Sequence, residues 1–298
     1  MTKLKIGYFA DGPWSHKAFE KIIADPTIEV MFIVPRNDTK DMTLKGFSEK
    51  YGIDYITGAK INTPEFHSKV AAYGCDLFVS MSYNQIFKDT IINIPPLKTI
   101  NCHAGKLPFY RGRNILNWVL INDEKEFGIT VHYIDEGVDT GDIILQRTFP
   151  ITDNDTYGSL LDVAHEGCAQ LLYDALKLMQ QGNVKRTKQT DIHPVGFYCG
   201  ERTFGDEIIN WNQSSRAVFN FVRALYCEGS ISAQTSCNDT LVKIKHVALI
   251  PGAPSYIGIP GQVVGKTQRG WIVKTMDATV EVYDYTSDAK IKIGSRFK

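Results

Sequence analysis

The chain has 298 residues, 43% of them hydrophobic and 22% charged, the profile of a soluble globular protein with one large or two modest domains. Lysine plus arginine equals aspartate plus glutamate at 33 each, and no block of like charge interrupts the chain, so no global field exists to gather a polyanion such as nucleic acid. The six cysteines, at positions 75, 102, 168, 199, 227 and 237, form no Cys-x-x-Cys pair and support neither a disulfide framework nor a zinc site.

Residues 3–10 form an apolar strand-like run without the charged start and long apolar stretch of a secretory leader, so a cytoplasmic location is expected. Residues 28–35, 76–82 and 98–103 repeat the strand pattern, with an amphipathic segment at 15–24 and helical pieces between the others. This alternation predicts an α/β fold, a mostly parallel Rossmann-like sheet with helices on both faces. Ligands of such sheets bind beyond the carboxyl ends of the strands. Ser82-Tyr83-Asn84 and Asn101-Cys102-His103 fall at two such ends.

Residues 127–134 alternate in the strand manner and lead through Asp135-Glu136-Gly137 to a turn bearing Asp139, which can fold over the same rim. Residues 156–181 place Leu160, Ala164, Cys168, Leu171, Ala175 and Met179 at helical spacing, with Asp155 or Thr156 as N-cap and Gly182 as stop. Beyond the polar stretch 183–188, a helix-like segment at 214–226 precedes short strands at 242–248, 270–275 and 279–282. The composition has become all-β, and a boundary near 205 divides domain 1–204 from a smaller β-rich domain 205–298. The uncharged span 247–265 approaches the ~20 residues of a membrane helix. Pro251, Pro254 and Pro260 among its glycines rule that out, and the span reads as an ordered loop.

Three motifs carry no ligand. The segment from Gly7 to Gly12 lacks Gly-x-Gly-x-x-Gly spacing, and Gly265-Lys266-Thr267 has Pro260 where a phosphate loop needs glycine. Asp153-Asn154-Asp155 opens like a calcium loop, but Tyr157 and Ala164 occupy ligand positions, so helix capping explains it better.

Asn101 and His103 stand two apart at a strand end, hence on one face, while Cys102 faces the other way and packs. Attack of an amine on an acyl carbon needs a donor for the developing oxyanion and an acceptor for the amine proton. Asn101 suits the first role and His103 the second, with Asp139 able to orient the imidazole and favour its charged form. Lys106, Tyr110, Arg111, Arg113 and Asn114 form a dense cluster suited to a diphosphate, Arg through its planar fork. Trp14 and His16, just after the first strand, can face the same ligand from the rim.

Asn101-Cys102-His103, followed by Leu107-Pro108-Phe109-Tyr110-Arg111-Gly112 and later by Asp139-Thr140-Gly141-Asp142, resembles the formyltransferases that use N10-formyltetrahydrofolate. Gly105-Lys106 stands where relatives acting on methionyl-tRNA or glycinamide ribonucleotide typically read Ser-Leu, and this is similar to the sugar N-formyltransferases. The likeness covers roughly residues 3–200 well and the last third more loosely, where 258–263 resembles the entry of the family's barrel-like C-terminal domain.

The resemblance implies Asn101, His103 and Asp139 as the catalytic set and N10-formyltetrahydrofolate as co-substrate, without a metal. It places the pterin against the backbone of Met81, Ser82, Tyr83 and Ile86, with Asp142 bordering it. It implies a dTDP-linked 3- or 4-amino-dideoxy sugar as acceptor, no nucleic-acid or membrane partner, a homodimer, and a part in making surface polysaccharides such as the lipopolysaccharide O-antigen. Methionyl-tRNA formylation and hydrolysis of the same folate are the alternatives.

Overall fold

The computed structural model describes residues 3–229 and 232–298. In chain order it runs β1 (Leu4–Ala10), α1 (Pro13–Ala24), β2 (Ile28–Val34), α2 (Thr43–Tyr51), β3 (Asp54–Tyr55), α3 (Pro64–Ala71), β4 (Leu77–Met81), α4 (Asp89–Ile92), β5 (Thr99–His103) and β6 (Arg111–Gly112). It continues with α5 (Ile115–Ile121), β7 (Glu126–Tyr133), β8 (Ile143–Pro150), α6 (Tyr157–Gln180), α7 (Gln189–Ile192), β9 (Tyr198–Cys199) and α8 (Ser215–Leu225). The last strands are β10 (Ala233–Cys237), β11 (Thr240–Leu249), β12 (Val263–Lys266), β13 (Trp271–Lys274) and β14 (Thr279–Ser287). One compact unit gathers Met1–Gly112, Phe127–Phe149 and Asp162–Cys199; the other gathers Arg113–Glu126, Pro150–Leu161 and Gly200–Lys298.

The first unit is built on a seven-stranded sheet in the order β3-β2-β1-β4-β5-β7-β8. The pairs from β3 through β5 are parallel, and β7 is antiparallel to β5. Period-two alternation sends Tyr8 toward Phe19 of α1 and Phe9 toward Phe66 of α3, so each face of β1 has its own helix. Phe9, Phe32, Phe66, Phe78 and Phe87 build the apolar cluster on the α3 side. Gly7 leaves room there, since a Cβ would collide with the rings of Phe32 and Phe78. On the α1 side, Cys102 of β5 turns its thiol toward the Cys168 carbonyl of α6 at 3.7 Å, the packing face expected of it. Thr156 caps α6, its hydroxyl accepting from the Ser159 amide, while the Ser159 hydroxyl accepts from the Thr156 amide.

The chain's order reverses between β1 and β4, which makes their carboxyl ends the crevice of a doubly wound sheet. β7 is buried almost throughout, because both its faces are covered, rather than half-exposed as its alternating sequence suggests.

The second unit carries a five-stranded antiparallel sheet, β10-β11-β14-β13-β12, with α8 against it. Ser214 caps α8 by accepting from the Ala217 amide, and Val218, Val222 and Leu225 enter the sheet's core. The span 247–265 is not all loop: its ends belong to β11 and β12, and the prolines interrupt only the middle. Arg216 and Arg223 of α8 stand over Asp123, whose carboxylate accepts from Arg216 Nε at 2.9 Å. No helix among the described residues is long and apolar enough to cross a membrane.

Candidate active site

β5 and β7 pair antiparallel, with Asn101 opposite His132 and His103 opposite Thr130. The register therefore aligns two polar period-two faces, Asn101/His103 and Thr130/His132. Thr130 fixes the chain that follows β5: its hydroxyl donates to the Gly105 carbonyl at 2.7 Å and accepts from Gln146 at 2.9 Å. Gly105 has to be bare, because a Cβ there would collide with His103 Nε2 and with the Tyr110 carbonyl. Those two groups meet at 2.8 Å. A carbonyl only accepts, so Nε2 carries the hydrogen and donates, and Nδ1 is left facing Asp139 Oδ2 at 3.6 Å.

Asp139 lies in the loop between β7 and β8 at φ 55°, a left-handed conformation rare for a side-chain-bearing residue other than Asn or Asp. Its carboxylate is 12% exposed, and Oδ2 accepts from the Gly112 amide at 2.9 Å. Oδ1 stands 3.5 Å from Nε2 of His132, a histidine 2% exposed whose Nδ1 donates to the Tyr133 carbonyl at 2.7 Å. Burial alone would raise the Asp139 pKa, but the imidazoles of His103 and His132 and the Gly112 amide outweigh it and hold the carboxyl well below the usual carboxylate range. Asn101 completes the group, with Nδ2 at 3.3 Å from His132 Nε2.

Asn101, His103 and Asp139, chosen from sequence, thus converge, with His132 between two of them. His132 was not among the residues singled out from sequence. Its signal is the polar pair Thr130/His132 in an otherwise apolar strand, which mirrors Asn101/His103 but gains meaning only from the strand register.

The remaining sequence-chosen residues are engaged in several ways. Met81 is buried, and Ser82, at φ 55°, turns the chain out of β4. Tyr83 packs on Phe9 and Phe87, and burial pushes its hydroxyl pKa up. Ile86 is 64% exposed, while its carbonyl accepts from Asn62 at 2.8 Å. Asp142 is half-buried, and its carbonyl accepts from the Tyr133 amide. Trp14 stands edge-on to His165 of α6, and His16 Nε2 is 3.0 Å from Asp41.

Lys106 packs its Cα and the base of its side chain against Gly128 of β7, and the Tyr110 ring is buried beside Phe197. Arg111 donates to Gln189 and lies over the Tyr198 ring at 5.5 Å. Arg113 and Asn114 belong to the second unit. There Arg113 pairs with Glu201 at 2.7 Å and the Asn114 side chain accepts from the Arg202 amide. Among the described residues, no group of three or more His, Cys, Asp or Glu side chains is placed to hold a metal ion.

A desolvated carboxylate between two imidazoles, beside an amide at the carboxyl end of β5 in a doubly wound sheet, is equipment for acyl transfer. Comparison with known proteins narrows this class. Residues 28–176 match the formyl transferase family and residues 203–296 match the formyl transferase C-terminal domain; the chain belongs to this family. A methionyl-tRNA formyltransferase of Ruminiclostridium cellulolyticum is 31% identical over 253 residues, 85% of this chain and 80% of that protein. One from Acetivibrio thermocellus is 37% identical over 182 residues, 60% of this chain and 57% of that protein.

Among solved structures, WlaRD, a sugar 3N-formyl transferase crystallised with dTDP and 5-N-formyl-THF, aligns with a TM-score of 0.70 at 21% identity, covering 98% of this chain and 100% of that one. An N-formyltransferase from Helicobacter canadensis, in complex with folinic acid and dTDP-3-aminofucose, aligns at 0.69 and 22% identity, covering 96% and 100%. At these identities the structural likeness concerns the fold.

Proposed function

We propose that this chain transfers a formyl group from N10-formyltetrahydrofolate to the amino group of a nucleotide-linked sugar, a dTDP-linked 3- or 4-amino-dideoxy sugar in particular. The observation that carries the reading is the convergence of Asn101, His103 and Asp139, with His132 behind them, on one face of the β5–β7 pair. The folate supplies the activated formyl carbon. The residues present suit it in kind: a chain that leaves β4 at Ser82, an apolar side chain exposed at Ile86, and another at Val138 beside Asp139.

Asn101 donates to the oxygen on which negative charge develops. His103 takes up the proton that the amine loses and returns it to the leaving nitrogen, and Asp139 holds the ring in place and balances its positive charge. The new carbon–nitrogen bond replaces the old one, and the products are a formamide and tetrahydrofolate. The acceptor assignment draws on Gly105-Lys106, on the equal charge count, on the Arg111 cation and on the named ligands of the sugar-modifying structures.

A second reading, formylation of methionyl-tRNA, is favoured by one observation, the 31% identity over most of the chain to an enzyme named for that reaction. Mass spectrometry of a panel of amino-sugar nucleotides and of charged initiator tRNA, each with and without N10-formyltetrahydrofolate, separates the two. A folate-dependent gain of one CO on a sugar nucleotide is the expected result. Gain on the tRNA alone assigns the second reading, and formate released without any acceptor assigns a hydrolase.

A further inference from the structure

The side chain of Gln189 opens α7, far in sequence from every residue of the candidate site, and is 4% exposed. A glutamine amide has two N–H donors and one oxygen with two lone pairs. Here all four are used. Nε2 donates to the carbonyl of Asp139 at 2.8 Å and to that of Gly141 at 2.9 Å. Oε1 accepts from Arg111 Nε at 3.1 Å and from Arg111 Nη2 at 2.6 Å. Two carbonyls on one side and two guanidinium N–H groups on the other admit a single orientation of the amide.

The same two segments meet a second time, where the amide of Gly112, the residue after Arg111, donates to the Asp139 carboxylate. One link holds the backbone of Asp139 and the other its side chain. Both links run to the β6 strand, and both bear on a residue that sits at a left-handed φ. Arg111 is held by a neutral amide oxygen, so its charge is not cancelled by this partner.

We propose that Gln189 is a positioning residue for formyl transfer, one that fixes the Asp139 loop and the Arg111 guanidinium in a common frame. The role rests on the reading of Asp139 and His103 as parts of the formyl-transfer site. Its consequence is that the carboxylate facing His103 and the cation available to an anionic acceptor keep a set spacing. A buried amide that makes all four of its bonds is also costly to disturb in part, since any replacement leaves carbonyls or N–H groups unpaired.

Two substitutions separate its two links. Gln189→Leu removes both. Gln189→Glu keeps an acceptor for Arg111 but sets a carboxylate against the Asp139 and Gly141 carbonyls, so it breaks only the loop link. Both variants should lose ~10–100-fold in kcat, the scale of a catalytic group displaced by about 1 Å. The KM for folate should stay within about twofold of wild type, and the acceptor's KM should rise in both, in Gln189→Leu because Arg111 loses its tether and in Gln189→Glu because the new carboxylate cancels the Arg111 charge.

The second readout needs no substrate. The Gly112 amide donates to the Asp139 carboxylate at 2.9 Å, so its NMR shift and its exchange with solvent report where that carboxylate lies. In both variants that shift should move and the exchange should quicken. A wild-type Gly112 amide and kcat in a variant whose thermal midpoint has dropped would reduce Gln189 to a structural bond and overturn the proposal. If wild-type protein formylates none of the amines offered, the functional reading fails, and the Gly112 amide still decides whether Gln189 positions Asp139. If Gln189→Leu does not fold, Gln189→Glu decides it.

Discussion

Two aspartates with lowered pKa values, one in each unit, are held by opposite means. Asp123, in the second unit, is lowered by hydrogen bonds from Arg216, which outweigh burial, with Asn220 and Lys125 adding to the effect. Asp139, in the first, is raised by burial and then lowered further by His103, His132 and the Gly112 amide. A guanidinium stays charged through the physiological range, so the Arg216–Asp123 pair is a permanent clamp. An imidazole can take up and release a proton, so in the proposed mechanism the surroundings of Asp139 change charge as the reaction proceeds. The nature of the partner separates a permanent pair from one that the proposed reaction would switch.

Replacing the titratable partner should break this contrast most severely. His103→Asn keeps a polar side chain but removes the proton carrier, and kcat should fall by ~10²–10⁴ with folate affinity nearly unchanged. Steady-state formyl transfer and fluorescence titration with folate check the two halves, and a fully active variant would end the assignment. Asp139→Ala acts on the same proton, so its loss combined with His103→Asn should be far from additive. Additive losses would mean that the 3.6 Å contact between them does no shared work.

Gly105→Ala sharpens the same point through space rather than charge. The added carbon meets His103 and the Tyr110 carbonyl, and the ring has to leave its 2.8 Å bond. A displacement of that kind should lower kcat by ~10–100-fold while the protein still folds. Activity equal to wild type would show that the His103–Tyr110 bond is not needed for turnover.

Much of this was legible in the sequence. The runs at 3–10, 28–35, 76–82 and 98–103 became β1, β2, β4 and β5 within a residue or so, because buried parallel strands are continuous apolar runs. β8 was missed: its outer half is exposed and polar, so neither alternation nor an unbroken apolar run marks it. Asn101, His103 and Asp139 could be named because they sit in two short local motifs, one at 101–114 and one at 139–142. His132 and Gln189 could not, since one depends on the β5–β7 register and the other on a contact 50 residues away from Asp139. Short-range pattern carries elements and motifs; partners across a sheet or at the far end of a helix become visible only in three dimensions.

In the second unit the effects should appear in stability. Arg216 joins Asp123 to Asp153, donating from Nη1 to Asp153 Oδ2 at 2.8 Å, and all three side chains are partly exposed. Arg216→Met should cost about 1–2 kcal/mol in unfolding free energy, at the upper end for exposed pairs because one cation serves two carboxylates. Urea unfolding measures it, and the cost should shrink in high salt, to which the Asp139 group, being buried, should respond less.

The smallest effect concerns Asp277, and it tests whether a carboxylate held by fixed dipoles behaves like one held by a cation. Burial raises its pKa, but the amides of Ser215 and Ala278 and the hydroxyls of Thr275 and Ser215 bring it down to about 2, below its ordinary value of 3.8. A carboxyl whose folded pKa is depressed stabilises the fold in full above its unfolded pKa, and the contribution disappears as pH falls through the folded one. Asp277→Asn should therefore be less stable than wild type by about 1 kcal/mol at pH 7, since a neutral amide keeps the oxygen but loses the charge. The gap should narrow from about pH 4 and close near pH 2, where wild type is protonated as well. A gap that stays constant with pH would assign the loss to shape, and the dipoles around Asp277 would then be shown to act on geometry rather than on charge.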